Sequence, residues 1–203
     1  MIDTKPNGMS FEEFLAWKPD APGYELFRGQ VMSMQPSGKH EEIIGFLNVE
    51  LSLEVRRLQL PYFLPKQALV KVAGDNTSYC PDVVLVNREA LANEPLWDKV
   101  STLTNGASIP LVIEVVSANW RTDYAYKLVD YEYLGICEYW VIDYLGSGGR
   151  RYIGSPKQPT LSIYQLIDEE YQMSQFRGDD VIQSALFPDL KFTAQQIFNG
   201  GYV

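Results

Sequence analysis

Leu111-Val112-Ile113-Glu114-Val115-Val116-Ser117 is a run of aliphatic, mostly β-branched residues interrupted once, by a carboxylate. An apolar run of this kind predicts a strand in the middle of a sheet, largely buried. Upstream, Pro81-Asp82-Val83-Val84-Leu85-Val86 repeats the pattern, with an acid at the head of an apolar strand. A carboxylate in such a place loses hydration and keeps its charge only when paired, hydrogen-bonded or bound to a metal. Two of them point to a cation.

Around these strands the chain reads as alternating elements. Ser10 and Glu13 spell a capping box before Phe11, Phe14, Leu15 and Trp17, with Pro19 as a stop, which predicts a short helix. Tyr24–Phe27, Arg28-Gly29 and Gln30–Met34 read as a hairpin, placing Glu25 on a strand. From His40 to about Gln59, Ile43, Ile44, Leu47, Leu51, Val55 and Leu58 recur at helical spacing. Short strands are expected at 62–64, 68–72 and 79–86, with a turn at Gly74-Asp75-Asn76. A long connection at 87–108 leads to the strand 111–117, a helix 123–134 closed by Gly135, and a strand 138–143. An antiparallel pair at 161–167 and 171–177 and a helix capped by Thr193 complete the reading. No linker divides the chain, so residues 1–203 are expected to form one α+β domain with a mixed sheet flanked by helices.

The chain has 203 residues, 46% of them hydrophobic and 21% charged, the composition of a folded domain. No uncharged apolar run approaches the roughly 20 residues of a membrane span, and Met1–Pro6 shows no signal-like pattern, so no membrane association is expected and the cytoplasm is the expected compartment. Two cysteines and one histidine cannot furnish a usual structural zinc site. The net charge of −9 argues against nonspecific binding of polyanions over the whole surface, although a local basic cleft can still work on an acidic body.

Mg²⁺ prefers carboxylate oxygen, takes one or two protein carboxylates, and leaves its other positions to water and substrate phosphate; Asp82 with Glu114 meets that requirement. Asp123 and Lys127 lie four residues apart on one helix face, and an ammonium aimed at the acids would stabilise charge building on a phosphate. Asp82, Glu114 and Lys127 thus form a candidate phosphodiesterase centre. Other readings stay open. Glu114 on an edge strand would be solvated, Lys127 and Asp123 could be an ion pair on an exposed helix face, and His40 could be an exposed residue at a helix start. Trp17, Trp97 and Trp140 are expected in the core, with Trp120 the one placed to stack a base. Arg56-Arg57 and Arg150-Arg151 read as solvated surface.

The order α-βββ-α-β from His40 to Asp143, with Pro81-Asp82 on one strand and Glu114 on the next, resembles the PD-(D/E)xK nuclease core of restriction endonucleases. More narrowly, the chain resembles the Uma-type family of restriction endonuclease-like proteins. The strings that carry this are Tyr24-Glu25-Leu26 with Arg28-Gly29, His40, Pro81-Asp82-Val83, Leu111–Ser117, Asp123 with Lys127, and Glu138–Asp143. The resemblance implies Mg²⁺-dependent cleavage of nucleic acid, DNA before RNA, with Mn²⁺ as a substitute. Asp82 and Glu114 would be the ligands and Lys127 the lysine. It also implies a further glutamate, assigned to Glu25 rather than Glu41 or Glu42. Cleavage of both strands of a duplex would call for a homodimer. Two departures stand out: Val116 occupies the superfamily's lysine position, so the lysine has moved or is absent, and Ala118-Asn119-Trp120 replaces the family's Pro-Ser-Thr. A catalytically silent nuclease-like fold, serving as a binding or assembly module, is the alternative.

Overall fold

The computed structural model describes residues 8–202 apart from 20, 22, 34, 75 and 118. The expectations placed on residues 1–6, Met34, Asp75 and Ala118 therefore lie outside the described residues. In chain order the elements begin with α1 (Phe11–Trp17), β1 (Tyr24–Phe27), β2 (Gln30–Ser33), α2 (Gly38–Arg57), β3 (Tyr62–Phe63), β4 (Leu69–Lys71), β5 (Ser78–Tyr79) and β6 (Val83–Asn87). They continue with α3 (Trp97–Val100), β7 (Thr102–Leu103), β8 (Leu111–Val115), a π-helical turn at Thr122–Lys127 running into α4 (Leu128–Leu134), and β9 (Glu138–Asp143). Last come α5 (Arg150–Ile153), β10 (Thr160–Ile167), β11 (Glu170–Phe176) and α6 (Ala194–Phe198). Among the described residues, no helix is long and apolar enough to cross a membrane.

The sequence cues act where they stand. Ser10 Oγ accepts from Glu13 N at 3.1 Å while Glu13 Oε2 accepts from Ser10 N at 3.0 Å, fixing the start of α1. Arg28 and Gly29, both at positive φ, close the β1–β2 hairpin. In α2 the stripe Ile43, Leu47, Leu51 and Val55 is buried, each side chain contributing about 1.5–3 kcal/mol on leaving water.

The architecture is α+β, with two mixed sheets where the sequence suggested one. The large sheet has strand order β11-β10-β9-β8-β6-β3, with β8 and β9 parallel and the other pairs antiparallel. The smaller has order β2-β1-β5-β4-β7. The expected strand 79–86 is split between them: Ser78–Tyr79 pairs in the small sheet and Val83–Asn87 in the large one. Pro81 lacks the N–H a continuous ladder needs, and Cys80-Pro81-Asp82 is the crossing.

Two apolar layers sandwich the large sheet. Val83, Leu85, Ile113, Val115, Trp140 and Ile142 face α2 and the C-terminal segment carrying Phe187, Leu190 and Ile197. Val84, Val112, Val116, Tyr139 and Val141 face Tyr124, Tyr131 and the small sheet's Val70 and Tyr79. Trp140 is in the core as expected, and Trp97 is partly buried edge-to-face with Phe63 at 5.8 Å between ring centroids. Trp17 is not: it is 41% exposed, because α1 ends there and the ring lies on the rim against Tyr24.

Candidate active site

Asp82 heads β6 and Glu114 lies on β8. Val83 pairs with Ile113 in that antiparallel ladder, so one step further sets Asp82 opposite Glu114, on the face that carries Val84 and Val112. β8 lies between β6 and β9, and Glu114 is fully buried, which removes the reading of a solvated edge residue.

From the other layer, the helix that follows β8 sends Lys127 inward. Its Nζ lies 3.0 Å from Glu114 Oε2, 3.0 Å from Glu25 Oε1 and 3.7 Å from Asp123 Oδ1. The Lys127 side chain is 1% exposed, so the solvated ion pair weighed from sequence is replaced by a buried cluster. Glu25 reaches it from β1 in the small sheet and also accepts from Cys80 N at 3.0 Å. The centre is thus assembled by both sheets and one helix, and it brings together all four predicted residues, Glu25, Asp82, Glu114 and Lys127.

The stretch Thr122–Lys127 is a π-helical turn, and Asp123, Tyr124 and Lys127 are all buried on it. Tyr139 OH secures the same turn by donating to the Asp123 carbonyl at 3.0 Å.

Each strand acid is held from behind. Asp82 Oδ2 accepts from Val115 N at 2.7 Å and lies 3.2 Å from His40 Nε2. Glu114 Oε1 accepts from Tyr131 OH at 3.0 Å. His40, at the first turn of α2, is buried rather than exposed, since that end of the helix abuts the junction where Asp82 sits. Tyr131 was missed in the sequence, although it stands four residues after Lys127 and therefore on the same helix face. The contribution of the Cys80 N–H carries no side-chain signal at all.

Charge is badly balanced here. Glu25, Glu114 and Asp123 crowd one ammonium, and Asp82 adds its charge from further away. Burial, opposed by Lys127 and reinforced by Asp82, Asp123 and Glu25, holds the Glu114 carboxyl well above its ordinary range. Burial, again opposed by Lys127 and aided by Asp82 and Glu25, pushes Asp123 up to about 7. Burial disfavours the Lys127 charge, yet Glu114, Glu25, Asp123 and Asp82 together raise its pKa well above normal. Burial likewise opposes a charged His40, and Asp82 and Glu41 outweigh it, so its pKa rises. Among the described residues, no three His, Cys, Asp or Glu side chains are arranged as a ready metal cage.

No curated protein matches the chain. Its fold is shared with a solved structure described as "Crystal structure of a putative nuclease belonging to DUF820 from Anabaena variabilis ATCC 29413", at a TM-score of 0.72 and 16% identity, covering 96% of this chain and 99% of that one. The Uma2 family, described as "Putative restriction endonuclease", matches residues 11–195, and with nearly the whole sequence spanned the chain belongs to that family.

Proposed function

We propose that the protein is a Mg²⁺-dependent endonuclease, able to use Mn²⁺, that hydrolyses phosphodiester bonds of nucleic acid, DNA in the first place. The observation that carries this reading is the excess of buried carboxylate over ammonium at the junction of the two sheets. Asp82 and Glu114 would hold the ion. Their donor chemistry fits: hard oxygen ligands on facing strands, with the remaining positions left to water and phosphate, so a three-residue cage is not needed. When bound, the ion would supply Lewis acidity toward a phosphate oxygen and relieve the carboxylate repulsion.

The chain's own groups do the rest. Val115 N–H and His40 fix Asp82 through Oδ2, and Tyr131 fixes Glu114 through Oε1, so both acids are oriented before substrate arrives. Glu25 and Glu114 hold the Lys127 ammonium at a fixed point, where it stabilises charge building on the phosphate. Lys127, coming from a helix, thereby does the work of the lysine that Val116 displaces from the strand.

The test is incubation with single- and double-stranded DNA and RNA plus Mg²⁺ or Mn²⁺, beside Asp82→Asn. Cleavage by the wild type that the variant loses is expected. Equal cleavage by both would mark a contaminant and end the enzyme reading. One observation favours the second reading, a silent fold used for binding or assembly: Lys127 already occupies oxygens of both Glu25 and Glu114. Absence of cleavage with every substrate and metal would favour it. The enzyme reading also invites a twofold dimer with one centre for each strand of a duplex, which sedimentation equilibrium tests, and a cytoplasmic setting, which fractionation tests.

A further inference from the structure

Beside the acidic centre, at the same end of the large sheet, lies a surface of opposite character. β8 and β9 run parallel, with Glu114 beside Val141, and both lead into this surface. From the β8 side come Trp120 and Arg121, one helical turn before the buried Asp123. From the β9 side come Arg150, Arg151 and Tyr152. The rings of Trp120 and Tyr152 meet edge-to-face at 6.0 Å between centroids, and Tyr152 stacks on the buried Tyr124 at 5.0 Å.

The surface is held in shape. Asp143, at the end of β9, accepts from Ser147 N at 2.9 Å and Gly148 N at 2.7 Å, locking the turn between the two segments. The next residue, Gly149, lies so close beneath Trp120 that a Cβ there would come within 2.8 Å of the indole. An exposed arginine lies over each ring: Arg121 is 4.7 Å from the Trp120 centroid and Arg151 is 4.9 Å from the Tyr152 centroid. In a chain of net charge −9, Arg121, Arg150 and Arg151 form no ion pair among the described residues. Guanidinium groups held by aromatic faces and free of carboxylates keep their N–H groups available for phosphate.

We infer that the Trp120–Tyr152 pair with Arg121, Arg150 and Arg151 is a docking platform for a single-stranded segment of nucleic acid, which it leads to the carboxylate centre. This rests on the nuclease reading and adds the form of its substrate. Unpaired bases offer free faces to stack on Trp120 and Tyr152, while the arginines take the backbone. A duplex keeps its base faces occupied and brings one charge per about 1.7 Å toward an acidic body, so it gains only the arginine contacts.

The experiment uses the full chain in EDTA, where no metal-dependent cleavage can occur, and fluorescence anisotropy of labelled oligothymidine and oligouridine of about ten nucleotides beside a duplex of equal length. The expected result is tighter binding of at least one single strand than of the duplex. In Arg121→Ala/Arg151→Ala the slope of log affinity against log salt should shrink by about 1.4, two contacts at about 0.7 each. Trp120→Ala should weaken strand binding by about fivefold to 150-fold, and Trp120→Phe should restore most of it. Thermal melting checks the Trp120 variants, and the exposed arginine pair keeps the test valid should Trp120→Ala unfold.

Duplex binding equal to or tighter than strand binding, an unchanged salt slope, or a folded Trp120→Ala that binds like the wild type would each overturn the platform. The two readings fail separately. Asp82→Asn should bind the strand normally, and a wild type that binds the strand yet cleaves nothing in Mg²⁺ removes the catalytic reading alone. Cleavage that persists in all platform variants with unchanged affinity removes the platform alone.

Discussion

Replacing Lys127 with Met tests whether one ammonium holds the centre together. The side chain is 1% exposed and touches Glu25 and Glu114 at 3.0 Å each and Asp123 at 3.7 Å. Methionine fills a similar volume, so the change removes charge rather than packing. Breaking a buried ion pair from one side costs about 3–5 kcal/mol, because the abandoned partner stays buried. With an unfolding slope near 2–3 kcal/mol per molar urea, the midpoint at neutral pH should fall by about 1.5 M. Adding Glu25→Gln removes one stranded carboxylate and should recover about 1–3 kcal/mol, even though it is a second lesion in the same site. Urea denaturation followed by circular dichroism reads both effects. A midpoint within about 0.3 M of wild type for Lys127→Met, or a double variant weaker than the single, would refute the claim that this lysine compensates the acids.

Other consequences are open to measurement. Mn²⁺ at about 100 times its dissociation constant should stabilise the wild type by about 2.7 kcal/mol, a rise in melting temperature of about 5–10 °C, and should leave Asp82→Asn unmoved. Tyr131→Phe strips Glu114 Oε1 of its donor and should cost about 1–3 kcal/mol in urea unfolding. Gly106→Ala would drive a Cβ into the Leu134 carbonyl oxygen and the Gly135 backbone, so a loss of about 3 kcal/mol is expected in the same assay. Glu138, buried at the start of β9, accepts from Trp140 Nε1 at 2.6 Å, Ser184 Oγ at 3.2 Å and Leu186 N at 3.2 Å, yet burial still raises its pKa above 4.5. The folded chain therefore binds this proton more tightly than the unfolded chain does. Relative to Glu138→Gln, the wild type should be most stable below pH 4.5 and should lose that advantage as pH rises through the elevated native value; a pH-independent difference would contradict this.

The sequence made the large sheet readable because its cues are local. The α2 stripe Ile43, Leu47, Leu51 and Val55 and the run Leu111–Val115 each bury as their spacing demands. The small sheet was not readable as a separate unit. Its strands are two to four residues long, too short to show a period, and they are held by partners distant in the chain, as Leu69 is by Thr102. Asp82 and Glu114 stood out because an acid in an apolar strand is costly. Glu25 entered only through the family resemblance, and His40 read as an exposed residue at a helix start, since what buries them is tertiary. Trp17 misled because hydrophobic bulk at the end of a short helix says nothing about whether anything lies above it.

The π-helical turn at Thr122–Lys127 bears on how such centres are found. What chemistry requires is an ammonium at a point in space, and a chain can deliver it from a strand, two positions past an acid, or from a loosened helical turn thirteen positions past Glu114. A search for an acid followed two positions later by a lysine overlooks the second arrangement, since Val116 stands at that position here. A census organised by where charged side-chain tips converge would recover both, and would group proteins whose linear spellings share nothing at that position.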